Sequence, residues 1–101
     1  MIKLELSKEF VEDLRRLTQF LLDGHPEDAV ELGDIVLDSL EVLTHSPEVG
    51  RPHRLPKREL IISRGKSGYL ALYEFQPQKN RVFLLRIRHQ RESGYRSLKK
   101  L

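Results

Sequence analysis

Cysteine is absent from the 101 residues, which excludes disulfides and thiolate metal sites and leaves nothing that points to an oxidising compartment. Long apolar runs are absent too. Met1 to Leu6 alternates charged and apolar residues where a signal peptide would be continuously apolar, and no later run approaches membrane-spanning length. The expected setting is the cytoplasm, with no membrane partner. His25, His45, His53 and His89 show no ligand spacing, so no metal site is expected, and no cofactor motif is found. Arg64-Gly65-Lys66-Ser67-Gly68 contains a Gly-Lys-Ser string but lacks the upstream glycine of a phosphate loop, and it precedes a strand rather than a helix.

What is present reads as one domain over residues 1–101. An apolar fraction of 39% beside a charged fraction of 33% implies a thin core and much surface that is solvated or faces a partner. The net charge of +3 hides a division. Residues 1–50 hold 4 Lys or Arg against 12 Asp or Glu, whereas residues 51–101 hold 14 against 3. Such sign asymmetry suggests that the second half faces something anionic, a nucleic acid or an acidic peptide.

Ile2, Leu4 and Leu6 alternate with Lys3 and Glu5, the period of a strand with one buried face, expected at or near a sheet edge. Ser7 can cap a helix running to about Leu22, with Phe10, Leu14, Leu17 and Leu21 on one side. Gly24 is suited to the left-handed position after its end. Pro26 opens a second helix with the stripe Ala29, Leu32, Val36, Leu40 and Leu43, ended by Ser46-Pro47. Gly33 inside it is expected to allow close approach of the first helix. The acids Glu9, Glu12, Asp13, Asp34, Asp38 and Glu41 read as a solvated helical face.

Glu48 to Lys57 reads as a loop, in which Gly50 is expected to supply a backbone conformation forbidden to other residues and Arg51 to anchor the chain. Strands follow at Arg58–Ser63, Tyr69–Phe75 and Val82–His89, the last with Phe83, Leu85 and Ile87 on one face and Arg86 and Arg88 on the other. Residues 90–101 read as a basic tail, a short helix or a disordered end. The expected architecture is therefore α+β, in the order βααβββ, an antiparallel sheet with an α-helical hairpin packed on one face.

Arg58, Arg64, Tyr69, Tyr73, Arg86, Arg88, His89, Arg91 and Tyr95 form the remaining constellation, expected to converge opposite the helices. Guanidinium forks hold phosphates or carboxylates, and aromatic rings supply stacking area.

Taken together, Pro47-Glu48-Val49-Gly50-Arg51, Arg58-Glu59-Leu60, Tyr69-Leu70-Ala71-Leu72-Tyr73 and Val82 through His89-Gln90-Arg91 resemble the ParE branch of the RelE/ParE toxin superfamily. The resemblance implies the toxin of a type II toxin–antitoxin pair that inhibits DNA gyrase without a catalytic centre. It also implies a hetero-oligomer with an antitoxin, whose acidic C-terminal segment wraps the toxin and through which alone operator DNA is reached. The alternative within the superfamily is a RelE-like endoribonuclease acting on messenger RNA in the ribosome; a third is an inactive or adaptor module. On the RelE pattern Tyr95 matches the C-terminal tyrosine and Arg91 a nearby arginine. The expected lysine positions fall on Leu60 and Ile62, however, and an arginine position on Leu70. Leucine and isoleucine supply neither proton transfer nor phosphate stabilisation.

Two surfaces are therefore expected. Arg51, Arg58, Arg64, Arg86 and Arg88 are candidates for binding the antitoxin, and Arg88, His89, Arg91 and Tyr95 for toxicity, on a stretch where Gln90 to Gly94 lets the backbone project from the sheet. Truncation after His89 is expected to leave the core intact.

Overall fold

The computed structural model describes residues 1–64 and 67–95, and of residues 63, 64 and 67 the backbone only. Strand β1, Lys3–Leu6, leads into helix α1, Lys8–Gly24. Ser7 holds an extended backbone, and its hydroxyl oxygen accepts the Phe10 N–H at 2.9 Å, satisfying a donor that the first turn leaves unpaired. Phe10 and Leu17 are buried, with Leu14 and Leu21 packed beside them, as the spacing requires. Gly24 still belongs to α1, and the helix ends at His25, whose φ of −141° and ψ of 73° are not left-handed. Pro26, whose missing N–H costs nothing at a first position, begins α2, Pro26–Glu41. A 3₁₀ turn, Val42–Thr44, prolongs it and carries Leu43 into the core.

The loop expected before the sheet contains a two-residue strand, β2, Arg51–Pro52. Proline is tolerated there because the strand is an edge. Strands β3 (Lys57–Arg64), β4 (Ser67–Gln76) and β5 (Arg81–His89) form the expected antiparallel meander. The sheet as a whole is mixed, in the order β1-β5-β4-β3-β2, because β1 runs parallel to β5, from Lys3 opposite Arg81 to Leu6 opposite Leu84. Helices cover one face, where Phe10, Leu32, Val36 and Leu40 meet Ile62, Tyr69, Ala71, Tyr73, Val82, Leu84 and Ile87. Among the described residues no helix is long and apolar enough to cross a membrane.

Two departures within β5 rearrange the side chains. Leu72 faces Arg86 while Tyr73 faces Leu84, so Leu85 is an extra residue, a β-bulge that breaks the two-residue alternation. Phe83, Leu85 and Ile87 therefore do not share a face; Val82 and Leu84 enter the core before the bulge and Ile87 after it. Beyond Leu6 the outer edge of β5 has no strand beside it, and α1 takes over. The Ser7 N–H donates to the Leu84 carbonyl and its hydroxyl to the Leu85 carbonyl, both at 2.9 Å. The Asp13 carboxylate accepts the Ile87 N–H at 3.1 Å and the Arg86 Nε and Nη2 at 2.7 and 2.8 Å.

Asp13 and Arg86 are 4% and 5% exposed. Asp13 is thus a buried partner and not part of a solvated helical face. Its hydrogen bonds and charge hold the Arg86 guanidinium above its ordinary pKa, against the opposing effect of burial. Gly33 does not mediate close packing either, since a methyl group there would meet nothing within 4 Å.

Candidate functional site

On β3 the core takes Ile62 completely and Leu60 in part, so Glu59 and Ile61 turn to the sheet face opposite the helices. Glu59 lies opposite Leu72 on β4 and opposite Arg51 on β2, while Ile61 lies opposite Leu70, itself opposite Arg88 on β5. Glu59 is 6% exposed although it stands on this outer face. Its Oε1 accepts the Arg51 Nε at 3.0 Å, its Oε2 accepts the Tyr95 hydroxyl at 2.6 Å, and the His53 Nδ1 stands 3.9 Å from Oε2.

The Tyr95 ring meets His53 edge-on, with centroids 5.9 Å apart, and lies 5.1 Å from the Arg88 guanidinium carbon. A ring close to Arg88 on β5 with its hydroxyl on Glu59 of β3 spans β4, over the side where Leu70 and Leu72 are almost fully covered.

Burial works against a charge on Glu59, but the hydrogen bonds from Tyr95 and Arg51 and the fields of His53 and Arg51 outweigh it and hold the carboxyl below its usual range. Tyr95 moves the other way. Burial, the hydrogen bond to Glu59 and the carboxylate charge push its phenol well above the ordinary tyrosine range, with Arg88 opposing. At neutral pH the contact is a carboxylate accepting from a neutral phenol.

The chain after β5 does not project. It folds back as a strap, and Glu92 is its clasp: the carboxylate accepts the Arg16 Nη1 at 2.9 Å and the His89 N–H at 2.9 Å, while the Glu92 carbonyl accepts the Arg88 Nη1 at 2.6 Å. A cut after His89 would therefore remove the cover of the outer face, although it spares the helix-side core.

The strap divides the residues expected to act in toxicity. Arg88 and Tyr95 are together on the outer face. His89 is on the helix side, edge-on to buried Tyr69 at 5.2 Å, with its Nδ1 accepting the Arg91 N–H at 3.1 Å. His89 and Arg91 line a groove of about 660 Å³ with Leu17, exposed Phe20, Leu21 and Tyr69. The constellation expected opposite the helices is split likewise, because Tyr69 and Tyr73 are core residues.

Of the residues expected to meet an antitoxin, Arg51 is 56% exposed, and Arg58 binds the Gly50 carbonyl at 3.0 Å. Arg88 is engaged by the strap. Arg86 is withdrawn from any surface by its ion pair with Asp13. The side chain of Arg64, like residues 96–101 of the expected tail, lies outside the described residues. Gly50 has a reason different from the expected one: a Cβ there would stand 2.6 Å from the Tyr73 ring and hydroxyl and 2.7 Å from the Glu59 carbonyl. The Tyr73 hydroxyl accepts the Gly50 N–H at 2.8 Å, and burial raises that phenol's pKa.

Residues 4–94 match the family described as the ParE toxin of the type II toxin–antitoxin system parDE. The chain belongs to the ParE toxin family. It is 34% identical over 92 residues to Toxin RelE3 of Caulobacter vibrioides, covering 91% of this chain and 98% of that protein. Among solved structures, one described as the chromosomal ParDE TA system from P. aeruginosa superposes with a TM-score of 0.71 at 20% identity, over 88% of this chain and 96% of that one. A metal-bound toxin from Helicobacter pylori superposes with a TM-score of 0.54 at 19% identity, over 93% of this chain and all of that one. These two likenesses concern the fold.

For this ParE-family toxin, sequence reasoning missed Glu59, Glu92, His53 and Arg16. A signal existed for the first two: with Glu74 they are the only acids in the basic half, and Glu59 alternates with core positions Leu60 and Ile62. The positions compared with the nuclease lysines, Leu60 and Ile62, belong to the helix side; one residue away the outer face carries Glu59 and Ile61. Among the described residues no group of three His, Asp or Glu side chains is placed to hold a metal ion. Chemically the outer face of this ParE-family chain offers an ionised carboxylate, a phenol, an imidazole and two guanidinium groups. Such a set can bind a planar or anionic group, and it can move a proton once the phenol leaves the carboxylate.

Proposed function

We propose that this toxin acts by binding and inhibiting DNA gyrase, and that a cognate antitoxin with an acidic C-terminal segment neutralises it. The observation that carries the reading is the covered centre of the outer face. Leu70, Leu72 and Tyr95 fill that centre, and Glu59 within it is 6% exposed, so the ground-state surface there is built for contact and not for turnover. Membership of the ParE family over residues 4–94 supports the same reading. Basic side chains outside the ion pair with Asp13, Arg51 and Arg58 among them, give an acidic antitoxin segment its counter-charges, and operator DNA is reached through the antitoxin alone.

Purified toxin should inhibit gyrase supercoiling in vitro and should leave cell-free translation intact. Intact supercoiling at toxin excess would overturn the proposal. Reversing Arg58 and Arg64 to Glu should weaken antitoxin binding at low salt, where surface charge is least screened.

A second reading, ribosome-dependent cleavage of messenger RNA, is favoured by one observation: Glu59, held as a carboxylate beside His53, Arg51 and Tyr95, has the groups a general base and phosphate clamp require. Messenger cleavage in the translation assay, lost in Glu59→Gln, would put this reading in place of the gyrase one.

A further inference from the structure

Tyr95 occupies its place as a ligand would. Its ring lies 5.1 Å from the Arg88 guanidinium carbon, His53 meets the ring edge at 5.9 Å, and its hydroxyl donates to a buried carboxylate at 2.6 Å. The floor beneath is apolar, formed by Leu70 and Leu72 on β4. Half-exposed Arg51 stands at the rim on the other carboxylate oxygen. Burying an ionised glutamate on a sheet face is costly unless every lone pair that faces the slot finds a donor. Here a segment held by the Glu92 clasp supplies that donor, and the clasp rests on exposed or half-buried groups that water can replace.

We propose that the slot between Arg88 and Glu59 is a nucleobase-binding site that the chain's own Tyr95 fills in the ligand's absence. The features match a purine with in-plane donors. A guanidinium stacks on its face, the apolar floor excludes water, and the carboxylate accepts ring and exocyclic N–H groups, of which guanine presents two side by side. Arg51 and His53 stand where they meet an attached phosphate. The ligand displaces Tyr95 and with it the strap from Gln90 onward, so occupancy and strap release are one event. The slot shares Glu59, His53, Arg51 and Tyr95 with the messenger-cleavage reading, which it deepens by naming the base, while its test reads binding and not cleavage.

The test uses the full chain and calorimetric titration at low salt with GMP, UMP, ribose 5-phosphate and an RNA trinucleotide carrying a central guanine. Tyr95→Ala empties the slot, and Glu92→Ala loosens the clasp while keeping the ring, so a failure of the first variant to fold, seen by circular dichroism, leaves the second to decide. Each folded variant should bind GMP about tenfold more tightly than the parent chain, the scale of one stacked base, and GMP more tightly than UMP. Adding Glu59→Gln should abolish that gain. A trinucleotide that binds more tightly than GMP identifies an RNA strand as the source of the base, and equal affinity identifies the free nucleotide; both support the slot. Two results overturn it: no gain in either folded variant, or ribose 5-phosphate binding as tightly as GMP, which would leave the arginines as a plain phosphate contact. Neither depends on the gyrase or translation assays.

Discussion

Asp13→Ala is the substitution most informative about how the fold is held. It removes two charge-assisted hydrogen bonds, at 2.7 and 2.8 Å, from a guanidinium that is 5% exposed, and it leaves the Ile87 N–H at the β-bulge without its acceptor. Breaking a buried pair from one side costs about 3–5 kcal/mol, because the surviving charge stays buried without compensation. Small domains have about 5–15 kcal/mol in all. At about 4–8 °C per kcal/mol for a domain near this size, the melting temperature should fall by roughly 20 °C. The double variant Asp13→Leu with Arg86→Met removes both charges and orphans only the amide, a loss of about 1–3 kcal/mol. Urea unfolding followed by circular dichroism should therefore rank the single substitution as more damaging than the double. If the double variant is the less stable of the two, the argument from an uncompensated buried charge is wrong.

Gly33→Ala should stabilise the protein by up to about 1 kcal/mol, since the new methyl group meets nothing within 4 Å and the helix gains propensity; a raised urea midpoint checks it. Gly50→Ala should do the reverse by about 1–3 kcal/mol, because its Cβ collides with the buried Tyr73 ring and the Glu59 backbone, neither of which can step aside; thermal melts decide. Glu59 has a folded pKa below its ordinary 4.5, so the stability it contributes is present above about pH 4.5 and is lost as pH falls through the lower, folded value. Glu59→Gln should flatten that acid limb in urea midpoints taken from about pH 6 down to about pH 3. Tyr95 has a raised pKa, so its contribution is present below the ordinary tyrosine value of 10.0 and declines as pH rises beyond it; Tyr95→Phe should remove that alkaline decline, read in the same way.

Local signals made the helices and the meander legible. Ser7 and Pro26 mark helix starts through backbone chemistry that acts within one turn, and the stripes from Phe10 to Leu21 and from Ala29 to Leu43 report burial directly. Pairings between distant residues were not legible. A strand of four residues carries no mark of the strand it will join or of its direction, so the parallel union of β1 with β5 was out of reach. A bulge is set by both strands together, and no residue of Leu84-Leu85-Arg86 announces it. Asp13 among ten helical acids looks like its neighbours until the β5 edge is in place to receive it. At the candidate site Arg88 and Tyr95 were expected together with His89 and Arg91, which the structure sets on the other side of the sheet, while Glu59 was hidden because a lone acid among arginines reads equally as a surface counter-ion. The backward fold of the strap depends on Arg16 of α1, 76 residues from Glu92, a distance at which composition is silent.

The union of β1 with β5 also bears on when this chain becomes a folded object. Ser7 and Leu85, joined across the β5 edge, stand 78 residues apart, so β1 waits at the ribosome for the helices and three further strands before it has a partner. Contacts of such separation form late, since the entropy of closing the loop must be met before they contribute. Until β5 leaves the exit tunnel, Phe10 and Leu17 of α1 lack the β5 residues they pack against, and Asp13 lacks its arginine. The nascent chain can form its helix pair early. It cannot assemble Arg88, Glu59 and Tyr95 until β5 and the strap have been made, so synthesis itself delays this outer face until after the helices and the other strands have emerged.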